Sequence, residues 1–135
     1  MPHPTIDTWH LLVKDRNPAG LDKLLAEDAV FLSPIVHSPQ RGKALTRAYL
    51  HAAFEVFFND SFRYVRELTG QNDAMLEFET TIDGVLVNGV DLIQWNAAGK
   101  IVEFKVMLRP LKAINLIHER MGEMLQRLQA QQAQQ

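Results

Sequence analysis

The chain has no cysteine among its 135 residues. That single absence removes disulfides, thiolate nucleophiles and cysteine-type zinc sites together. It also lacks an excess of charge of either sign, with 14 Lys and Arg against 16 Asp and Glu. Without a basic stripe interleaved with aromatics there is no electrostatic footprint for nucleic acid. No apolar run approaches the roughly 18 residues that a membrane span requires. The opening MPHPTIDTWHLL lacks a basic segment followed by a long apolar one, so it does not read as a secretion signal. No His-x-His, HExxH or clustered carboxylate spacing occurs, and neither a metal nor a cofactor is expected. These absences leave a soluble cytoplasmic protein as the expectation.

Composition supports an ordinary globular domain, with 47% hydrophobic and 22% charged residues. A chain of this length buries about two-thirds of its unfolded surface, enough for a core without covalent staples. One domain over residues 1–128 is expected. The Gln-rich tail, 129–135, has nothing to bury and is expected to be disordered.

The first half reads as helical. Thr5 caps a segment with Ile6, Trp9, Leu12 and Val13 at helical spacing, and Asn17-Pro18-Ala19-Gly20 ends it. LDKLLAED, from Leu21, is a short second helix before a strand, Ala29 to Ser33. PIVHSPQRG is a loop punctuated by Pro34, Pro39 and Gly42. From Lys43 to Phe58 the helical period returns, with Leu45, Ala48, Tyr49, Ala52, Ala53 and Val56 on one face.

Beyond Phe58 the period falls to two. SFRYVREL, MLEFETTID, VLVNGVDLIQW and KIVEFKVML are strand candidates joined by the turn-forming GQND, DG and NAAG. Leu76, Phe78, Thr80 and Ile82 share one face, as do Val102, Phe104, Val106 and Leu108. Opposite them, Lys105 is expected to neutralise Glu77 or Glu79 across strands. Pro110 to about Leu128 forms a last amphipathic helix. Helices followed by consecutive antiparallel strands give an α+β domain.

One residue interrupts the apolar pattern. Asp91 sits inside VNGVDLIQW, sharing parity with Gly89, Ile93 and Trp95, while Val90, Leu92 and Gln94 take the other face. A core carboxylate costs several kcal/mol unless paired or protonated. Because both faces of this strand are largely apolar, parity leaves Asp91 open between a surface residue, a structural acid and a cavity acid.

Two stretches bear on this. LLAEDAVFLSPIVHSPQRGKALTRAYL and VDLIQWNAAGKIVEFKVML resemble the helix–strand–loop–helix block and final hairpin of the NTF2-like superfamily, which includes ketosteroid isomerase, limonene epoxide hydrolase and the SnoaL-like polyketide cyclases. The resemblance implies a cone-shaped, curved mixed or antiparallel sheet. Three N-terminal helices pack on its concave face, and RPLKAINLIHERM adds a C-terminal helix that the isomerase lacks. It also implies that Asp91 points into a cavity as a protonated acid, with Phe78, Ile93, Trp95, Phe104, Val106 and Leu108 as lining.

The chemistry departs from the relatives. Ser33 stands where the isomerase has its aspartate base, and a neutral hydroxyl has no basicity near pH 7 unless activated. Gly89 stands where the epoxide hydrolase has an arginine, and Arg109 has outward parity. The cyclase type of proton transfer stays open, with His37 in the loop at the cavity mouth or Tyr49 on the third helix assisting Asp91. Trp9 on the first helix is a further candidate for the cavity wall. The expected partner is a small apolar, cyclic or polyketide-like ligand, and the outer sheet face is expected to form a homodimer. A non-catalytic binding module and a dimeric assembly module are the alternatives.

Overall fold

The structure is a computed structural model and describes residues 3–133. Its elements follow in the order α1 (Pro4–Lys14), a 3-10 turn (Pro18–Gly20), α2 (Leu21–Leu24), β1 (Leu25–Leu32), β2 (Gln40–Arg41), α3 (Lys43–Phe57), β3 (Arg63–Thr69), β4 (Asp73–Ile82), β5 (Val85–Trp95), β6 (Ile101–Arg109) and α4 (Leu111–Ala133). The six strands form one curved, unclosed sheet in the order β2-β1-β6-β5-β4-β3. Only β1 and β6 run parallel; the other neighbours are antiparallel.

The expected α+β architecture is present, and the differences have local causes. His3, not Thr5, caps α1: its Nδ1 accepts from the Thr5 amide at 3.1 Å, and Pro4, which has no N–H to satisfy, takes the first turn. The Thr5 hydroxyl instead donates to the Gly99 carbonyl at 2.8 Å and ties α1 to the β5–β6 turn. The second helix is a single turn, because Leu25 already pairs with Ile101 of β6 and the chain continues as strand from there. Within α3 the buried face carries Thr46, Leu50, Phe54 and Phe57, whereas Leu45 is 46% exposed. Helix α4 runs on to Ala133, through positions expected to be tail; residues 134–135 lie outside the described residues.

Asp83 and Gly84 close the β4–β5 hairpin with positive φ at both, 50° and 78°, as a two-residue primed turn demands. The alternation in β4 is as read, with Ala74, Leu76, Phe78, Thr80 and Ile82 all buried. In β6 it is broken. A register shift opposite Gln94 and Trp95 leaves Val102 out of step, and Ile101 takes the buried position beside Phe104 and Val106. Lys105 pairs with neither expected acid, because β5 lies between β6 and β4. Arg63 reaches Glu79 at 3.0 Å and Arg66 reaches Glu77 at 3.8 Å from β3, the true neighbour of β4.

The core lies between the sheet and the helices. Trp9, Leu50, Phe54, Ile93 and Phe104 are buried near α1, and Phe57, Phe78, Val87 and Ile117 are buried near α4.

Candidate active site

Asp91 lies in the middle of β5, flanked in register by Leu76 of β4 and Val106 of β6. Its face also carries Val87, Gly89, Ile93 and Trp95, all buried, and Asp91 itself is 6% exposed. The pleat therefore turns the carboxyl toward the helices. Burial pushes its acid up to about 7, since water no longer supports the charged form, and a hydrogen bond from Tyr64 opposes that rise.

Tyr64 comes from β3, two strands away. Its hydroxyl donates to Asp91 Oδ2 at 2.9 Å and accepts from Trp9 Nε1 at 2.9 Å. The three side chains form a directed chain from indole to phenol to carboxyl. Burial and the neighbouring Asp91 charge raise the Tyr64 phenol well above its ordinary value, so it stays a donor. On the outer side His10 meets the Tyr64 ring edge-on at 5.2 Å and contacts Glu67 at 2.5 Å. Among the described residues no group donates to Asp91 Oδ1, and every fully enclosed side-chain polar atom has a partner. The free oxygen is thus the one available to a guest.

A hollow of about 30 Å³, the size of a water molecule, adjoins Asp91. Trp9, Phe54, Phe57, Phe78, Phe104 and Val106 are among its walls. Beside it a larger cavity of about 220 Å³ lies between β1, β6, α3 and α4, bounded by Phe31, Ser33, Tyr49, Ile117, Met121 and Leu125 among others. Ala53, Phe57 and Val106 face both spaces and form the partition between them.

The structure brings together Asp91, Trp9, Phe78, Phe104 and Val106 of the residues singled out in the sequence. It does not bring His37 to Asp91: His37 is exposed on a surface concavity with Lys105, Met107 and Leu108, which shares Ser33, Pro34, Val36 and Val106 with the larger cavity but does not include Asp91. Leu108 is not among the walls of the hollow. Tyr49 stacks on Phe31 at 5.3 Å and faces the larger cavity, so Tyr64 and not Tyr49 is the phenol beside the acid. Ser33 also faces the larger cavity, and its Oγ accepts from the Ile35 amide at 2.9 Å. Ile93 fills core away from the hollow, and Trp95 packs on the His3 ring at 4.5 Å toward the far end of the sheet. At Gly89 an added Cβ would stand 2.6 Å from Phe78 Cζ and 2.8 Å from the Met107 carbonyl oxygen, so β5 has no room for an arginine there.

Tyr64 and the α4 residues were not found from the sequence. A tyrosine on a strand candidate next to an apolar one is a usable signal, but it needs the strand order. No group of three or more His, Asp or Glu among the described residues is placed to hold a metal ion.

The family model for the SnoaL-like domain matches residues 6–104. The chain belongs to the SnoaL-like domain family. Among solved structures, a steroid delta-isomerase from Pseudomonas aeruginosa is 35% identical, covers 93% of this chain and 92% of its own, and superposes with a TM-score of 0.88. A protein with a cystatin-like fold from Silicibacter pomeroyi DSS-3 is 32% identical over 90% of this chain and 84% of its own, with a TM-score of 0.82. The epoxide hydrolase/cyclase-like enzyme SalBIII, at 17% identity over 79% of this chain and 89% of its own, shares the fold with a TM-score of 0.63. No curated protein matches. The SnoaL-like domain thus has the fold that its two quoted stretches resembled, with the acid on the inward face.

Proposed function

We propose that this SnoaL-like domain binds a small, largely apolar cyclic or polyketide-like molecule and moves a proton on it, as an isomerase or cyclase does, with Asp91 as the acid. The observation that carries the reading is the Tyr64–Asp91 pair: one carboxyl oxygen is held at 2.9 Å by a phenol, and the other has no partner inside an apolar wall. The steroid delta-isomerase likeness at 35% identity supports the same class of chemistry.

An acid near 7 is balanced between its two forms at neutral pH, where general acid–base catalysis is most effective. In the protonated form Asp91 Oδ1–H passes its proton to the ligand's carbonyl oxygen, and the electron demand this leaves on the carbonyl carbon makes the neighbouring α-carbon C–H acidic. Once the proton is given up, the Tyr64 hydrogen bond and the Trp9 N–H behind it stabilise the carboxylate. The same carboxylate then takes the α-carbon proton, the C–H electron pair becomes the enol double bond, and the acid is restored, so a keto–enol interconversion closes without the base that Ser33 cannot supply. Ala53, Phe57 and Val106 hold the ligand's apolar body between the two spaces.

The second reading, a binding module without turnover, is favoured by one observation: Ser33 is a neutral residue already engaged with the Ile35 amide. Deuterium exchange at the α-carbon of 2-tetralone in D2O separates the two. The enzyme reading expects exchange above the buffer rate that Asp91→Asn abolishes. A thermal shift with the ketone recovered unlabelled would instead establish the binding module.

We further propose that the outer sheet face pairs with a second copy. Met107 and Leu86 are 56% and 57% exposed there, beside half-buried Val90 and Leu92.

A further inference from the structure

The larger cavity is walled on one side by α4. Ile117, Met121 and Leu125 present one helical stripe to it, and His118 and Gly122 form the adjacent stripe at its rim. Glycine is the least favourable helix-interior residue after proline, so one placed mid-helix usually answers a packing or functional need. Packing is not the need here. A Cβ added at Gly122 meets nothing within 4 Å. Gly122 lines the cavity together with Ser33, Pro34, Ile35 and Val36, so a longer side chain at 122 has the space between α4 and that loop to enter.

We propose that α4 carries the entrance of the ligand site, kept open by the missing side chain of Gly122, and that it admits a one- or two-ring apolar body bearing hydrogen-bonding oxygens at both ends. The cavity of about 220 Å³ exceeds the roughly 150 Å³ in which a benzene ring is accommodated. One oxygen passes the Phe57 partition to Asp91. The other stays with the Tyr49 hydroxyl and the exposed His118 ring, both of which line the cavity. This rests on the Proposed function's reading that the two spaces serve one ligand.

The test uses the full chain, with 2-naphthol and naphthalene-2,6-diol as probes and dissociation constants from titration. Gly122→Leu improves helix propensity and its Cβ meets nothing within 4 Å, so its thermal midpoint should hold or rise while 2-naphthol binding weakens at least tenfold. In the unmutated chain, nuclear Overhauser contacts are expected from 2-naphthol to the Met121 and Leu125 methyls, a readout that needs no variant. The diol should bind at least fivefold tighter than 2-naphthol, and Tyr49→Phe with His118→Ala should erase that difference.

Unchanged affinity in Gly122→Leu would overturn the entrance, as would failure of the unmutated chain to bind 2-naphthol or contacts confined to other methyls. Equal affinity for the two probes would overturn the second oxygen. Asp91→Asn keeps the failures apart. If it weakens binding while Gly122→Leu does not, the Asp91 reading stands and the entrance falls; the reverse pattern leaves the α4 compartment and removes Asp91 from the ligand.

Discussion

Burial lifts the Asp91 acid from an ordinary value of 3.8 to about 7, so across that interval the folded chain holds a proton the unfolded chain has released. The sign follows: stability from this group is fully present below about pH 4, falls as pH rises through 7, and is level above it. Three units of separation correspond to roughly 4 kcal/mol as an order of magnitude. Asp91→Asn keeps the shape and an acceptor for Tyr64 but cannot titrate. It is expected to flatten the decline between pH 4 and 7 in urea-unfolding free energies and to be the more stable protein at pH 7.5; an undiminished slope would assign it to another group. At this scale the sequence was half legible. Asp91 stood out as a carboxylate in an apolar run, but parity could not orient it, and only the family resemblance turned it inward. Tyr64 was hidden by a physical irregularity. Tyr64 pairs with inward Phe78 and Arg66 with outward Glu77, although they are two residues apart, because the β3 register shifts between them.

Strands were legible as elements because alternation survives wherever one face is buried and the turn residues set the register. β4, β5 and the Asp83-Gly84 turn are the cases where pattern and turn chemistry agree. Boundaries failed where partners distant in sequence decide. Leu25 is drafted into β1 by β6, and the two-residue β2 exists only as a partner for Val30 and Phe31. Helix α4 was placed by its apolar stripe, but nothing in that stripe says that it faces an open space. Gly89 shows how tightly β5 is held beside the site. With Phe78, Leu108 and the Met107 carbonyl all within 3 Å of a modest added Cβ, Gly89→Ala must shift backbone as well as side chains. It is expected to lose about 1–3 kcal/mol or more, measured by urea unfolding. A neutral result would mean that β5 and β6 can separate at little cost.

The whole molecule arranges these parts as a sheet with two differently used faces. One face meets the helices and holds the acid. The other exposes Met107, Leu86 and Leu68, which we assign to a second copy. A dilution series by light scattering is expected to give twice the chain mass at micromolar concentration, and Met107→Lys to shift it toward monomer; a single-chain mass throughout would contradict the assignment. The NTF2-like topology was readable from element order, whereas the division of the interior into a water-sized hollow and a larger cavity depends on how Ala53, Phe57 and Val106 meet, which no local pattern encodes. The proposed activity depends on the folded chain keeping one carboxylic acid protonated near neutrality for a guest. The most direct measurement is the side-chain 13C chemical shift of Asp91 followed from pH 3 to 9. A midpoint about 7 is expected, moving higher in Tyr64→Phe because the bond that favours the carboxylate is gone. A midpoint near 4 in the unmutated chain, unmoved by that substitution, would contradict it.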